Sequence, residues 1–388
     1  MNVHVTSRFR TFLHAVLCPG LLLVTVMALH PALAKAQPNS QVILQGRVTD
    51  AATAEPLAGA HVFIAESMIG TTTDGEGRYE LRGVPTGANR LYVSIIGFEP
   101  DFRDLMLRAS RVYVFDFALE ERVFEAGEIV IEAERDDKWL DRLRKFERMF
   151  IGETPNAEST SIVNPEVLDF EDKRGSFTAI AAEPLIIENT ALGYRIQYFL
   201  KDFESTPTRI RYDGEPLFEE MKPESAAQAA EWSARRREAF IGSFRHFALA
   251  LIAGRSEAQG FKTYSRPSVT TTNPGTFDSG RAFNGQQRFP LDPASLLAPG
   301  ESEGEHILDF KGYVEIVYMG EKEDPAFLQW GANRGRMTPG YQTSWITMER
   351  GPTVLDYKGD TLDPYGITFM GYLAWERVAN EVPKEYRP

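Results

Sequence analysis

A β-sandwich followed by a larger mixed α+β domain is the fold this sequence predicts, and three observations carry it. From Gln41 to about Glu134, short runs of strand-forming residues are divided by glycine and proline turns, and the first and last of them alternate apolar with polar positions. No stretch of that segment has a helical period. From Trp139 onward, apolar residues recur at helical spacing and are interleaved with further strand-like runs.

The opening residues have the layout of a secretory signal. Arg8 and Arg10 give a basic start, Phe12 to Leu29 is mostly apolar, and Ala32-Leu33-Ala34 or Ala34-Lys35-Ala36 supplies a small-x-small cleavage site. Pro19-Gly20 and His30-Pro31 leave an uninterrupted run well below the roughly 20 residues that span a bilayer. Residues 1–36 are therefore expected to be a signal peptide, and the protein to work outside the cytoplasm, in the periplasm or at the cell surface. The only cysteine, Cys18, falls inside this segment, behind Leu17 where a lipid anchor needs a small residue. The rest of the chain has no thiol, which excludes disulfides, thiolate metal sites and cysteine nucleophiles. Loss of residues 1–36 removes three cations and no acid, taking the formal charge from −13 to −16. A surface so acidic disfavours nucleic acid, whose phosphates need cationic partners.

Residues 37–136 form the expected sandwich. Val42, Leu44, Gly46 and Val48 share one side of an alternating run, as do Tyr113, Phe115, Phe117 and Leu119 near its end. Ala60 to Ile64, Tyr79 to Leu81 and Leu91 to Ile95 supply strands between them, joined by Asp74-Gly75-Glu76-Gly77, Pro85-Thr86-Gly87 and Gly97 to Pro100. The runs Gly46 to Asp50, Pro56 to Val62, Thr73 to Tyr79, and Leu91 to Ser94 followed by Gly97-Phe98 give the segment its family character. In their order and spacing it resembles the carboxypeptidase regulatory-like domain. The resemblance covers the first quarter of the chain. It implies a transthyretin-like antiparallel sandwich of about seven strands, of the kind found at the amino terminus of exported proteins in Bacteroidota-type bacteria.

Residues 137–388 form the second expected domain, with a boundary near 134–138 and separate folding of the two modules. Trp139, Leu143, Phe146 and Phe150 make one face of a helix that Gly152 ends, with Arg142, Arg144, Lys145 and Arg148 on the other side. Tyr194 to Leu200 and Pro207 to Tyr212 read as strands, with Asp213-Gly214 as a turn leading to Leu217-Phe218. Ala226 to about Ile252 is the longest helical stretch, weakened at Gly242 and restarted by Ser243 as a cap. Strands return at Gly260 to Tyr264, His306 to Phe310 and Gly312 to Tyr318. About 265–304 reads as a long loop with room for one short turn between Pro290 and Leu297. Phe146 to Gly152, Asn164 to Phe170, Pro184 to Asn189 with Leu192-Gly193-Tyr194, Gly242 to Phe247, Trp375-Glu376-Arg377 and Pro383 to Tyr386 complete the pattern. Together they resemble an uncharacterised domain that follows the regulatory-like module in exported proteins of the same bacteria, and the resemblance implies no activity.

Chemistry is sparse in the sequence. A zinc carboxypeptidase needs a His-x-x-Glu pair and a distant His, and none of His61, His246 and His306 is followed by Glu at the third position. No Gly-x-Ser-x-Gly elbow, phosphate loop or dinucleotide fingerprint is present. Asp74-Gly75-Glu76-Gly77 lacks the ligand alternation of an EF-hand and reads as a sharp turn. The acidic groups Asp169, Glu171 and Asp172, and Glu219, Glu220 and Glu224, read as solvated surface. No catalytic residue, cofactor or metal is therefore assigned. Recognition positions remain: Arg235 and Arg236, extended by Arg245 and His246 across the Gly242 break, and the aromatics Tyr264, Phe277 and Phe283 around the long loop. The expected function is noncatalytic binding or assembly in the cell envelope, with an envelope protein or glycan as partner, no nucleic acid, and peripheral association with the outer membrane. A glycan or peptide hydrolase with a new active site, and an accessory component of outer-membrane transport, are the alternatives.

Overall fold

Alternating burial begins at the first strand. The computed structural model describes residues 42–122, 137–206, 210–266, 287–330, 336–363 and 365–388. The amino-terminal strands are β1 (Val42–Asp50), β2 (His61–Ile64), β3 (Gly70–Thr72), β4 (Arg78–Val84), β5 (Gly87–Ser94), β6 (Asp101–Leu107), β7 (Val112–Val114) and β8 (Phe117–Leu119). They make two sheets, one ordered β4-β1-β7 with β8 also on β1, the other β3-β2-β5-β6. Pairing is antiparallel except where β7 and β8 run parallel to β1. Leu44, Val62, Leu81, Leu91 and Val93 form the filling of this sandwich and are essentially buried. The Asp74 turn closes on itself, because Asp74 Oδ1 accepts from the Glu76 and Arg78 backbone N–H groups at 3.0 and 2.8 Å.

The helical stripe expected at Trp139 forms α1 (Asp137–Phe150), which lies on a sheet of β9 (Thr160–Ile162), β10 (Leu168–Lys173), β11 (Ser176–Ala181), β12 (Leu185–Asn189), β13 (Tyr194–Ser205) and β14 (Ile210–Glu220). Phe146 and Phe150 are fully buried, with ring centroids 5.0 Å from Phe203 and 4.8 Å from Tyr198 respectively. Each such ring contributes about 1.5–3 kcal/mol by leaving water. The Asp213-Gly214 turn does not occur. β14 runs straight through both residues, and its register against β13 slips between Leu200 and Asp202. A side chain at Gly214 would begin 2.5 Å from the Phe199 carbonyl oxygen, so the glycine serves close strand approach instead of a reversal.

The long helical stretch breaks as expected into α2 (Ala226–Phe240) and α3 (Phe244–Ile252), with Ser243 Oγ accepting from His246 N at 3.2 Å as the cap of the second. After them come β15 (Phe261–Arg266), β16 (Phe289–Pro290), β17 (Leu297–Pro299), β18 (His306–Leu308), β19 (Tyr313–Lys322), β20 (Tyr341–Met348), β21 (Thr353–Leu355), β22 (Ile367–Gly371) and α4 (Tyr372–Trp375). A five-stranded sheet runs β16-β15-β19-β20-β22, and a three-stranded one β17-β18-β21. Phe247 and Leu251 of α3 share a core with Phe261, Ile316 and Ile346. Of the expected long loop, 287–304 holds β16, β17 and a short 3-10 turn, Pro293–Leu296, capped by Asp292 Oδ1 on Ala294 N. Residues 267–286 lie outside the described residues.

The sandwich and the second region share apolar surface. Phe63 and Tyr92, on β2 and β5, pack on Phe199 and Leu217, with the Phe63 and Phe199 rings 4.6 Å apart. Ser67 forms a parallel bridge with Leu217, and residues 40–388 group as one compact unit.

Candidate functional site

Buried charge crosses this junction. On β5, Arg90 donates through Nε and Nη2 to both Asp104 oxygens and through Nη1 to Glu215 Oε1 at 2.8 Å, and the Arg90 and Glu215 side chains are almost wholly enclosed. Burial works against the Arg90 charge, but Asp104 and Glu215 outweigh it and raise its pKa. Burial, with Glu66 adding, pushes the Glu215 carboxyl up to about 7 despite Arg90. One strand end away, Asp356 accepts from Ala88 N at 2.9 Å, while Lys358 Nζ donates to Ala88 O at 3.0 Å. Gly87 makes that clasp fit. Its φ is +95°, and a Cβ there would lie 2.3 Å from Asp356 Oδ2.

A cavity of about 310 Å³ lies where Glu66 of the sandwich meets the second region, at the lower end of the usual range for ligand pockets, roughly 300–1,000 Å³. Its walls come from the loop after β2, β14, the end of α2, the start of α3, the turn after β21, β22, and α4 with the segment after it. Each wall has a local cause. Glu66 holds φ at +60°, a left-handed conformation disfavoured for a residue with a Cβ. Its N–H donates to Pro216 O and its carbonyl accepts from Lys384 N, both at 2.8 Å, and its carboxylate stands 3.3 Å from Lys384 Nζ. The tight turn after β21, closed by a bridge between Leu355 and Thr361, is shaped by Asp356, whose Oδ1 accepts from Lys358 N and Asp360 N at 2.8 and 3.0 Å. That turn places Asp360 at the cavity. Arg245 enters from the second position of α3, where the helix dipole disfavours a cation, and donates through Nη1 to Pro383 O at 3.1 Å.

The electrostatics follow from depth. Glu376 and Glu381 face the cavity and keep partial exposure to it, yet stand so far inside the protein that burial raises both to about 8. Glu321 adds to the first shift, and Glu66 and Glu215 to the second. Burial also raises Asp360 and lowers Arg245. Lys384 is raised although burial opposes it, because Glu66, Asp360 and Glu215 surround it. At neutral pH the cavity thus presents the cations Arg245, Arg377 and Lys384 against the carboxylate of Glu66, whose pKa Lys384 holds down against burial, beside Asp360, raised by burial, and Glu376 and Glu381, mostly protonated.

These raised carboxyl groups make stability depend on pH. Between their ordinary value of 4.5 and about 8, the folded chain holds more protons than the unfolded chain. Stability therefore falls as pH rises through that window and levels off above it. The thermal midpoint is expected to drop by a few degrees across the window, and joint Glu376→Gln and Glu381→Gln substitution to flatten the slope. An unchanged slope in the double variant would refute this assignment.

Of the positions expected to recognise a ligand, Arg245 lines the cavity and the other described ones do not. Arg235 pairs with Glu231 at 3.2 Å, one turn away on α2. Arg236 covers the Tyr194 ring, donates to the Leu192 and Gly193 carbonyls and pairs with Glu220. His246 is turned inward among Phe240, Phe261 and Tyr318, where Nδ1 accepts from Gly242 N at 3.0 Å and burial lowers its pKa. Arg288 lies over the Tyr264 ring on β15. Phe277 and Phe283 lie outside the described residues. Sequence reasoning missed Glu66, Asp360, Glu376, Glu381 and Lys384; the last four come from the closing segment of the second region, and Glu66 joins them only through the docking of the sandwich. Among the described residues, no group of three or more His, Cys, Asp or Glu is placed to hold a metal ion, and no helix is long and apolar enough to cross a membrane.

Residues 44–131 match the model of the CarboxypepD_reg-like domain. The chain carries an amino-terminal domain of that kind. It supplies Glu66, Arg90 and the Gly87–Ala88 strand end to the junction. No curated protein matches the chain. Among solved structures, catechol 1,2-dioxygenase from Pseudomonas arvilla C-1 is 17% identical over 27% of this chain and 60% of its own, with a TM-score of 0.20. Shaft pilin SpaA from Lactobacillus rhamnosus GG is 14% identical over 22% and 47%, at 0.18. A DUF3823 family protein from Bacteroides ovatus ATCC 8483 is 11% identical over 47% and 82%, at 0.17. The chain spans about 60% of the length of the dioxygenases it matches. At such TM-scores these likenesses carry no functional argument.

Proposed function

We propose that the protein is a noncatalytic binding or assembly protein of the cell envelope, exported by residues 1–36, in which the CarboxypepD_reg-like domain and the region after it together frame the binding site. The observation that carries this reading is the charged cavity at their junction, walled from the sandwich by Glu66 and from the second region by Arg245, Asp360 and Lys384. Strain supports it: a left-handed glutamate fixed by hydrogen bonds from both sides is the sort of backbone cost that concentrates at functional positions. The partner expected is an envelope protein or glycan that offers a small group to the cavity, with peripheral residence at the outer membrane. A photo-crosslinking side chain placed at Thr361, in the cavity wall, should capture that partner from intact envelopes. Recovery of neither protein nor glycan under several extraction conditions would sink the reading, and recovery of a barrel receptor would place the chain with transport machinery.

A hydrolase would draw on the same wall. Carboxyl groups raised to about 8, as at Glu376 and Glu381, suit a general acid. Turnover of a glycan or peptide library that Glu376→Gln abolishes would install that activity in place of simple binding.

A further inference from the structure

A strand with a free edge borders the cavity. β22 ends the five-stranded sheet and pairs with β20 alone. Glu349 N donates to Gly366 O, which fixes the alternation along the pair: Thr368 and Met370 turn their backbone groups to β20, and Ile367 and Phe369 turn theirs away. Among the described residues, the outward N–H and C=O groups of Ile367 and Phe369 meet no partner. Both residues line the cavity, beside Phe244 and Leu373. Two other sheet edges are blocked. On β6, Phe102 N donates to Asp101 Oδ1 and Phe102 O accepts from Arg103 Nη1, both at 2.8 Å. On β10, Leu168 O accepts from Trp139 Nε1, and the strand ends in Glu171, Asp172 and Lys173. β22, with the sequence Ile-Thr-Phe-Met-Gly, has neither charge nor proline to guard it.

We propose that β22 takes a further strand at this edge, an extended acidic peptide segment of a partner protein, bonded to the backbone of Ile367 and Phe369. An extended chain repeats N–H and C=O groups at the spacing that the edge presents, and strand addition draws its affinity from those main-chain bonds. Two residues of the segment exchange bonds with Ile367 and Phe369, so about three residues enter the cavity. Charge selects among such segments. Arg377 lines the cavity and, among the described residues, is in no ion pair, whereas Lys384 has Glu66 at 3.3 Å. An Asp or Glu of the segment meets Arg377, and protonated Glu376 and Glu381 add no repulsion at neutral pH. This partner class rests on the cavity being the binding site.

Selection of random heptapeptides displayed on phage, against the immobilised full chain at neutral pH, tests it. Enriched sequences should carry Asp or Glu and no central proline; failure to enrich any peptide overturns the proposal. Calorimetric titration with the best sequence and two N-methylated forms of it reads the geometry. Methyl groups on the alternate residues that face β22 should weaken binding about tenfold or more, since hydrogen bonds are lost, and methyl groups on the residues between them should leave it unaltered. Equal loss from both forms, or from neither, overturns strand addition. Amide hydrogen exchange places the strand. In the free protein Ile367 and Phe369 should exchange faster than Thr368 and Met370, and the peptide should slow them. Amides that are slow without the peptide, or unmoved by it, would show that this edge is not the site. Arg377→Gln should lower the preference for acidic sequences, and an unchanged preference overturns the charge assignment. Crosslinking through Thr361 separates this proposal from the binding role: capture of a glycan with no peptide enriched overturns strand addition alone, and capture of neither protein nor glycan with no peptide enriched overturns both.

Discussion

Arg90→Met is expected to destabilise the protein by about 3–5 kcal/mol, because removing one member of a buried ion pair leaves the other charge enclosed and uncompensated. The stranded groups are Glu215, 3% exposed, and Asp104, which loses a two-armed contact at 2.7 and 3.0 Å. The guanidinium also lies 4.2 Å from the Phe102 ring centroid, and that attraction is lost with it. Glu215 is already raised to about 7 by burial and Glu66, so without Arg90 it can escape part of the penalty by taking a proton. The loss should therefore be larger above neutral pH than below it. Urea midpoints on either side of neutrality measure this, and adding Glu215→Leu to Arg90→Met should restore much of the stability. A loss below about 1 kcal/mol at alkaline pH would show that the pair does not hold the junction.

Asp356→Ala should cost a similar amount by another route. The carboxylate is fully buried and accepts three backbone N–H groups, from Ala88, Lys358 and Asp360. Each donor left unsatisfied costs about 1–3 kcal/mol, and Lys358 loses the carboxylate 3.2 Å from its Nζ. The expected total is about 3–5 kcal/mol. Amide hydrogen exchange locates the damage: protection should fall first at Ala88, Lys358 and Asp360, with the α1 core unaffected until global unfolding. Uniform loss of protection, with the α1 core exchanging as early as that turn, would show that Asp356 is not a local clasp.

Much of the fold could be read from the chain because its causes are local. Alternation along β1, the Trp139 to Phe150 stripe and the Ser243 cap each depend on residues within a few positions of one another. Gly214 misled for the same reason: an Asp-Gly pair is a turn by local chemistry, and only the neighbouring strand at Phe199 shows why glycine is needed. The junction had one faint signal. Val62 to Ile64 and Leu91 to Val93 are apolar without alternation, which fits strands covered on both faces, and it is Phe63 and Tyr92 that meet the second region. At the cavity only Arg245 had one. Glu66 owes its place to hydrogen bonds with Pro216 and Lys384, and Glu376 and Glu381 owe their raised pKa values to depth, a property of the assembled fold.

The packing of Val378 and Ala379 bears on the order in which the protein can be completed. Both are fully buried in the same core as α1 and β12, with the Ala379 N–H donating to Ile151 O and its carbonyl accepting from Asn189 Nδ2. A chain delivered from its amino terminus makes Ile187, Leu192 and Tyr194 long before it makes the residues that cover them. Until Val378 arrives, that core stays open to water and to other chains. The strands of the sandwich, contiguous in sequence, are all made before that point, so a protein halted short of Val378 would carry them beside an adhesive, half-covered sheet.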